Sequence, residues 1–78
     1  MILKVISAAE VIFEGEVSSA TLPGQQGAFT VLRNHASLVA ILSAGTVAYR
    51  TPDGSEHTRA ITGGVADVDN NVINVCVY

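Results

Sequence analysis

The sequence is short of the residues that staple a small protein or equip it for most chemistry. It holds one cysteine, two prolines, two tyrosines, two phenylalanines, no tryptophan and four fixed cations in 78 residues. Cys76 has no partner for an internal disulfide, and no Cys/His cluster has metal-ligand spacing, so a reducing cytosolic compartment is expected. The cations Lys4, Arg33, Arg50 and Arg59 stand against a net charge of −3. With no basic track to neutralise phosphates, nucleic acid is excluded as a partner and an anionic membrane surface is disfavoured. The scattered Phe13, Phe29, Tyr49 and Tyr78 make no stacking platform for single strands. The longest apolar run, Leu38–Leu42, falls far short of the ~20 residues that cross a bilayer, and the N-terminus lacks a signal-peptide layout, so a soluble domain is expected.

What the sequence does have is aliphatic carbon. Hydrophobic residues make up 49 % of the chain, dominated by Val, Ala, Ile and Leu, whose β-branched members suit a pleated, half-buried surface. At this length a single domain is expected, with a stability of roughly 4 to 12 kcal/mol. Residues 2–7 and 11–13 read as two strands, followed by a turn at Glu14-Gly15 and a polar-decorated strand over 16–22. Pro23-Gly24 is a type II turn signal, since Pro presets the first central φ and Gly accepts a positive φ at the second. Residues 28–32 are extended and stop at Arg33-Asn34-His35. Leu38–Leu42 is too short for a helix and reads as a strand. Residues 46–51 and 56–61 flank Pro52-Asp53-Gly54-Ser55 as a hairpin. Gly63-Gly64 permits a bulge or a close backbone approach, residues 65–68 resume an extended pattern, Asp69-Asn70-Asn71 turns the chain, and Val72–Val77 closes it. About nine to ten short strands and no helical period imply an all-β fold, a two-sheet β-sandwich or flattened barrel, in one domain over residues 1–78.

Candidate chemistry is sparse. Imidazole can act as acid, base or ligand, yet neither His35 nor His57 has a nucleophile and base beside it in sequence, so no catalytic residue is assigned and an interface role is expected for His35. Gly24, Gly27 and Gly63-Gly64 are turn glycines, because no Lys-Ser or Lys-Thr follows them and no helix start is available to receive a phosphate. Glu14 and Glu16 straddle a glycine and are expected to face solvent, and Cys76 reads as a small buried or half-buried filler. No metal and no cofactor are expected.

Val5-Ile6-Ser7-Ala8, Phe13-Glu14-Gly15, Leu22-Pro23-Gly24, Asn34-His35-Ala36, Gly63-Gly64 and Val75 follow a recognisable order, and the stretch GAFTVLRNHASLVAILSAGTV over residues 27–47 is its most specific part. Together these segments resemble the β-sandwich domain of the epsilon subunit of rotary, F-type ATP synthases, along nearly the whole chain. The resemblance implies a non-catalytic part of the central stalk that links the gamma subunit to the ring of c subunits, with no ATPase activity of its own. It implies coupling of proton- or sodium-driven rotation to ATP synthesis at the cytoplasmic face of a bacterial inner membrane, which the chain meets only through the complex. Positions matching the gamma contact are Ser7, His35 and Ala40. Those matching the rotor-ring contact are Gln25, Gln26, Gly27 and Ala28, with Arg33 as an added cation.

Three departures qualify the resemblance. Ser37 stands where the family commonly has proline, Ala28 stands where many members carry an acid, and the sequence ends at Tyr78, where the sandwich would close, without the pair of helices that restrains hydrolysis in many members. Two other small sandwiches are weighed against it. A lipoyl- or biotinyl-type carrier needs a lysine at a hairpin tip, and Lys4 is the only lysine, near the N-terminus. A sugar-binding or enzymatic sandwich needs aromatic platforms or converging polar groups, and the sequence offers neither.

Overall fold

Successive strand residues face opposite sides, so apolar residues two apart should share a buried face. Leu3 with Val5, Ala66 with Val68 and Ile73 with Val75 do so, each exposed by no more than 1 %. The computed structural model describes residues 1–78 as nine strands: β1 (Ile2–Ile6), β2 (Val11–Glu16), β3 (Ser19–Leu22), β4 (Phe29–Leu32), β5 (Leu38–Leu42), β6 (Gly45–Arg50), β7 (Glu56–Ile61), β8 (Gly64–Asp69) and β9 (Val72–Val77). Sheet A has the order β2-β1-β9-β8-β5, sheet B the order β4-β3-β6-β7. Only the β1–β9 pair is parallel, and its register sets Leu3 beside Ile73 and Val5 beside Val75. The sheets form two layers with open edges, so the fold is a sandwich and not a closed barrel.

Between the layers lies one core of 14 apolar side chains, with no polar or charged residue buried among them. Sheet A contributes Leu3, Val5, Leu42, Ala66, Val68, Ile73 and Val75, while sheet B contributes Ala20, Leu22, Val31, Val47 and Ile61. At one side of the sandwich Phe13 of β2 lies 4.4 Å from Tyr49 of β6, centroid to centroid, and His57 of β7 stacks with Tyr49 at 5.3 Å. His57 is thereby packed against an aromatic ring on edge strand β7, whereas His35 follows β4, the other edge of sheet B.

The strands run between two poles. One, the tip pole, gathers residues 7–10, 23–28, 43–44 and 62–63, and the opposite pole gathers residues 17–18, 33–37, 51–55 and 70–71. Both poles are stitched across the sandwich. At the tip pole Gly24 bridges Leu42 and the Gln25 N–H donates to the Ile41 carbonyl at 2.9 Å. At the opposite pole the Asn34 N–H, just after β4, donates to Oδ1 of Asn71 in the β8–β9 turn at 2.6 Å.

Three local expectations are corrected. Glu14-Gly15 is not a turn: β2 runs straight through it to Glu16, and the Phe13 ring covers Gly15 so closely that a β-carbon there would lie 3.0 Å from it. The chain turns after Val17 instead. Pro23-Gly24 is not a type II turn either. The Gly24 N–H bonds back to the Leu22 carbonyl at 3.0 Å, a three-residue turn centred on Pro23, and the reversal follows at Gly24–Gln25–Gln26–Gly27, closed by the Gly27 N–H on the Gly24 carbonyl. Glycine is needed at 24 for space, since a β-carbon would sit 2.6 Å from the Gly27 carbonyl oxygen. Finally, Cys76 is exposed, because it alternates onto the outer face of sheet A. The hairpin at residues 51–55, the Asn70-Asn71 turn with φ of 49° and 61°, and the close approach at Gly64 match the sequence reading.

Candidate partner-binding surface

An antiparallel sheet with one wet face should alternate apolar and polar residues. Sheet B obeys: its outer face carries Ser19, Thr21, Thr30, Thr46, Ala48, Arg50, Glu56 and Thr58, with Leu32 the large apolar exception. Thr21 and Thr30 share a hydroxyl hydrogen bond of 2.8 Å across the β3–β4 ladder, and Arg50 pairs with Glu56 across β6–β7.

Sheet A does not obey. The registers align Val11, Ile6, Cys76, Val65 and Ile41 in one row across all five strands, each pointing away from the core. At ~4.8 Å between strands this row is about 19 Å long. Val11 is 57 % exposed, Ile41 56 %, Val65 39 %, and Val39 beside the row 72 %. The next rows toward the opposite pole are Glu14, Lys4, Asn74, Asp67 and Val39, then Glu16, Ile2, Val72 and Asp69. Lys4 lies 3.8 Å from Glu14.

The residues singled out from sequence distribute along this surface unevenly. Gln25, Gln26, Gly27 and Ala28 are all exposed at the tip pole. The first three form a groove of about 380 Å³ with Gly24, Phe29, Val39, Ala40 and Ile41, so the structure brings Ala40 together with the tip. Ala40 itself turns its side chain to the inner side, opposite Ala66, and it is Val39 and Ile41 that face outward. Ser7 also lies at the tip pole, next to Ile6. Its hydroxyl accepts from the Ala9 and Glu10 N–H groups at 3.3 Å each, which holds the β1–β2 turn.

His35 and Arg33 stand at the other pole. A four-residue strand, about 13 Å, separates Arg33 from Ala28, so Arg33 does not join the tip; it lines a shallow hollow with Met1, Glu16 and Pro52. The His35 loop is tightly held. The Asn34 N–H donates to Asn71 Oδ1 at 2.6 Å, and Asn71 Nδ2 returns a hydrogen bond to Asn34 Oδ1 at 3.0 Å. Ser37, standing in the proline position, donates its hydroxyl to Asp69 Oδ1 at 2.6 Å, a polar restraint in place of a ring. His35 Nδ1 is 2.7 Å from the Ala36 carbonyl, which only accepts, so Nδ1 carries the proton. No acid, nucleophile or second imidazole converges on it, and the arrangement presents an exposed ring on a fixed loop.

Sequence reasoning missed the apolar row. Its signal was present in Leu38–Leu42, which is apolar at every position, and a strand with no polar face is one that expects cover on both.

The family model for the ATP synthase delta/epsilon chain β-sandwich domain matches residues 1–78. The chain belongs to that family. The ATP synthase epsilon chain of Campylobacter jejuni subsp. doylei is 43 % identical over 75 residues, covering 96 % of this chain and 57 % of its own length. That of a Sulfurovum species is 42 % identical over 69 residues, covering 88 % and 54 %. This epsilon-type chain therefore spans a little over half the length of the curated relatives it matches. Among solved structures, a chain in the Euglena gracilis mitochondrial ATP synthase, an assembly of OSCP, F1 and c-ring, superposes with a TM-score of 0.92 at 26 % identity, covering 99 % of this chain and 49 % of that one.

Proposed function

We propose that this epsilon-type sandwich is a non-catalytic coupling piece of the central stalk, gripped by the gamma subunit along the outer face of sheet A and by the rotor ring at the tip pole. The observation that carries the reading is the apolar row across sheet A in a chain that matches its family from end to end. An exposed apolar band about 19 Å long is a poor surface for a free monomer and a good one for a partner. Ser7 flanks this band at one pole and His35 stands at the other, so a gamma subunit that touches both, with Ala40 and its neighbours between them, covers the sheet lengthwise.

Gln25, Gln26, Gly27 and Ala28 form the rotor contact in this reading, through glutamine amides and backbone groups, since Ala28 has no charge to offer. Arg33 is withdrawn from that contact by its place at the other pole. Torque passes through a body whose core is close-packed and whose strands are cross-linked by hydrogen bonds, which makes the sandwich stiff. The coupled ion is a proton or sodium, and the working place is the cytoplasmic face of a bacterial inner membrane, within the complex.

The test is a calorimetric titration of the 78-residue chain with the gamma subunit of its own synthase, alongside an ATPase assay of the chain alone. Saturable 1:1 binding with no hydrolysis is expected. Absence of binding would sink the reading.

A further inference from the structure

An apolar row by itself does not choose its cover. A second copy of this chain could lay its own row on it in a two-fold arrangement, as exposed apolar patches commonly do. What surrounds the row decides between occupants.

Of the seven acidic residues, Glu14, Glu16, Asp67 and Asp69 all stand on the outer face of sheet A, with Lys4 as the single cation there. The remaining acids, Glu10, Asp53 and Glu56, are matched in number by Arg33, Arg50 and Arg59. The entire net charge of −3 therefore resides on this one face. Lys4 is engaged with Glu14, and the chain's other ion pair, Arg50–Glu56, lies on sheet B, which leaves Glu16, Asp67 and Asp69 in no ion pair. The first acidic row is two residues along each strand from the apolar row, three on the bulged β2, about 7 Å, so whatever covers one meets the other.

Resting on the reading of this face as the gamma seat, we infer that the seat is charge-selective: it takes a gamma surface whose apolar ridge is flanked by lysine or arginine, and its acidic rows keep a second copy of this chain off the apolar row. A two-fold pair of these faces would bring −3 against −3 across a surface where no cation is free. A partner with a basic flank gains attraction on approach, which acts chiefly on association rate and falls with salt.

The test compares the wild-type chain with the double variant Glu16→Gln, Asp67→Asn, both exposed positions whose change leaves the core untouched. Binding to the gamma subunit is followed by surface plasmon resonance at ~0.05 M and ~0.5 M salt. The wild type should associate several-fold more slowly at high salt, and the variant should bind about two- to fivefold more weakly per charge removed, with a flatter salt dependence. Sedimentation of the wild-type chain at low salt should show a monomer. Equal affinity and equal salt dependence of the two proteins would overturn charge selectivity while leaving the gamma seat standing. A wild-type dimer that shields Cys76 from alkylation would overturn it too, and failure of the wild type to bind gamma under any condition would remove the seat itself.

Discussion

The two outer faces of this sandwich are built from the same kind of ladder and could hardly differ more in what they show to water. Sheet B presents threonine and serine around a single exposed Leu32, with Thr21 bonded to Thr30 and Arg50 paired with Glu56. Sheet A presents five aligned apolar or thiol side chains and three carboxylates that enter no ion pair. A surface that has satisfied its own polar groups asks nothing of a partner. One that leaves apolar area and charge uncovered is complete only when something lies on it, and this asymmetry makes the sandwich directional.

The largest effect should come from breaking sheet A's backbone. A β-carbon at Gly64 would meet the Cys76 carbonyl oxygen at 2.1 Å, a contact no side-chain movement relieves. Gly64→Val should cost about 3 kcal/mol or more and leave little folded protein in a thermal melt. At the sheet B hairpin, Gly54 has φ of 90° and open space around it, so Gly54→Ala should cost only about 1 kcal/mol, from the left-handed backbone alone.

Next comes the contrast of faces. Val65→Lys, beside Cys76 in the apolar row, should weaken gamma binding by at least about tenfold in calorimetry with little change in melting temperature. Thr58→Lys on sheet B should change neither. Equal losses from both would erase the comparison.

A smaller effect tests how the sheets are tied together at the pole opposite the tip. Asn71 both adopts φ of 61° and clasps Asn34. Asn71→Gly keeps the turn and loses the clasp, and urea unfolding should record about 1 kcal/mol; Asn71→Ala should lose more, since it also strains the turn.

The smallest concerns sheet B in acid. Hydrogen bonds donated by Thr51, then by the Ser55 backbone and side chain, hold the Asp53 carboxyl below its ordinary value. A depressed pKa means that its contribution is present at neutral pH and is lost as pH falls below about 4. Amide exchange at the hairpin should accelerate there before sheet A responds, and Asp53→Asn should remove that pH dependence.

Much of this molecule was legible in its sequence, and for stated reasons. The alternation in Val72–Val77, the Pro-Asp-Gly-Ser hairpin and the turn at Asn70-Asn71 are local signals, and the structure repeats them. Errors arose where a glycine was read as a turn. Gly15 lies inside a strand under the Phe13 ring, and Gly24 serves a close approach to a backbone three residues on, and neither contact leaves a mark in composition. The row across sheet A, hinted at only by the all-apolar Leu38–Leu42, could not be assembled from sequence for a different reason. Its members Val11, Ile6, Cys76, Val65 and Ile41 come from five strands, and only the register, including the bulge between Val5 and Ile6, lines them up. Arg33, near Ala28 in sequence, lies at the opposite pole, since the extended strand between them carries neighbours to opposite ends of the body.

Cys76 offers the most direct measurement, because it sits at the centre of the row and is the chain's only thiol. Its rate of maleimide labelling should fall at least about tenfold in a 1:1 complex with the gamma subunit, as expected for a side chain taken from open solvent into an interface core. An unchanged rate in a complex shown to be stoichiometric would mean that gamma grips some other surface, and the account of sheet A as its seat would be wrong.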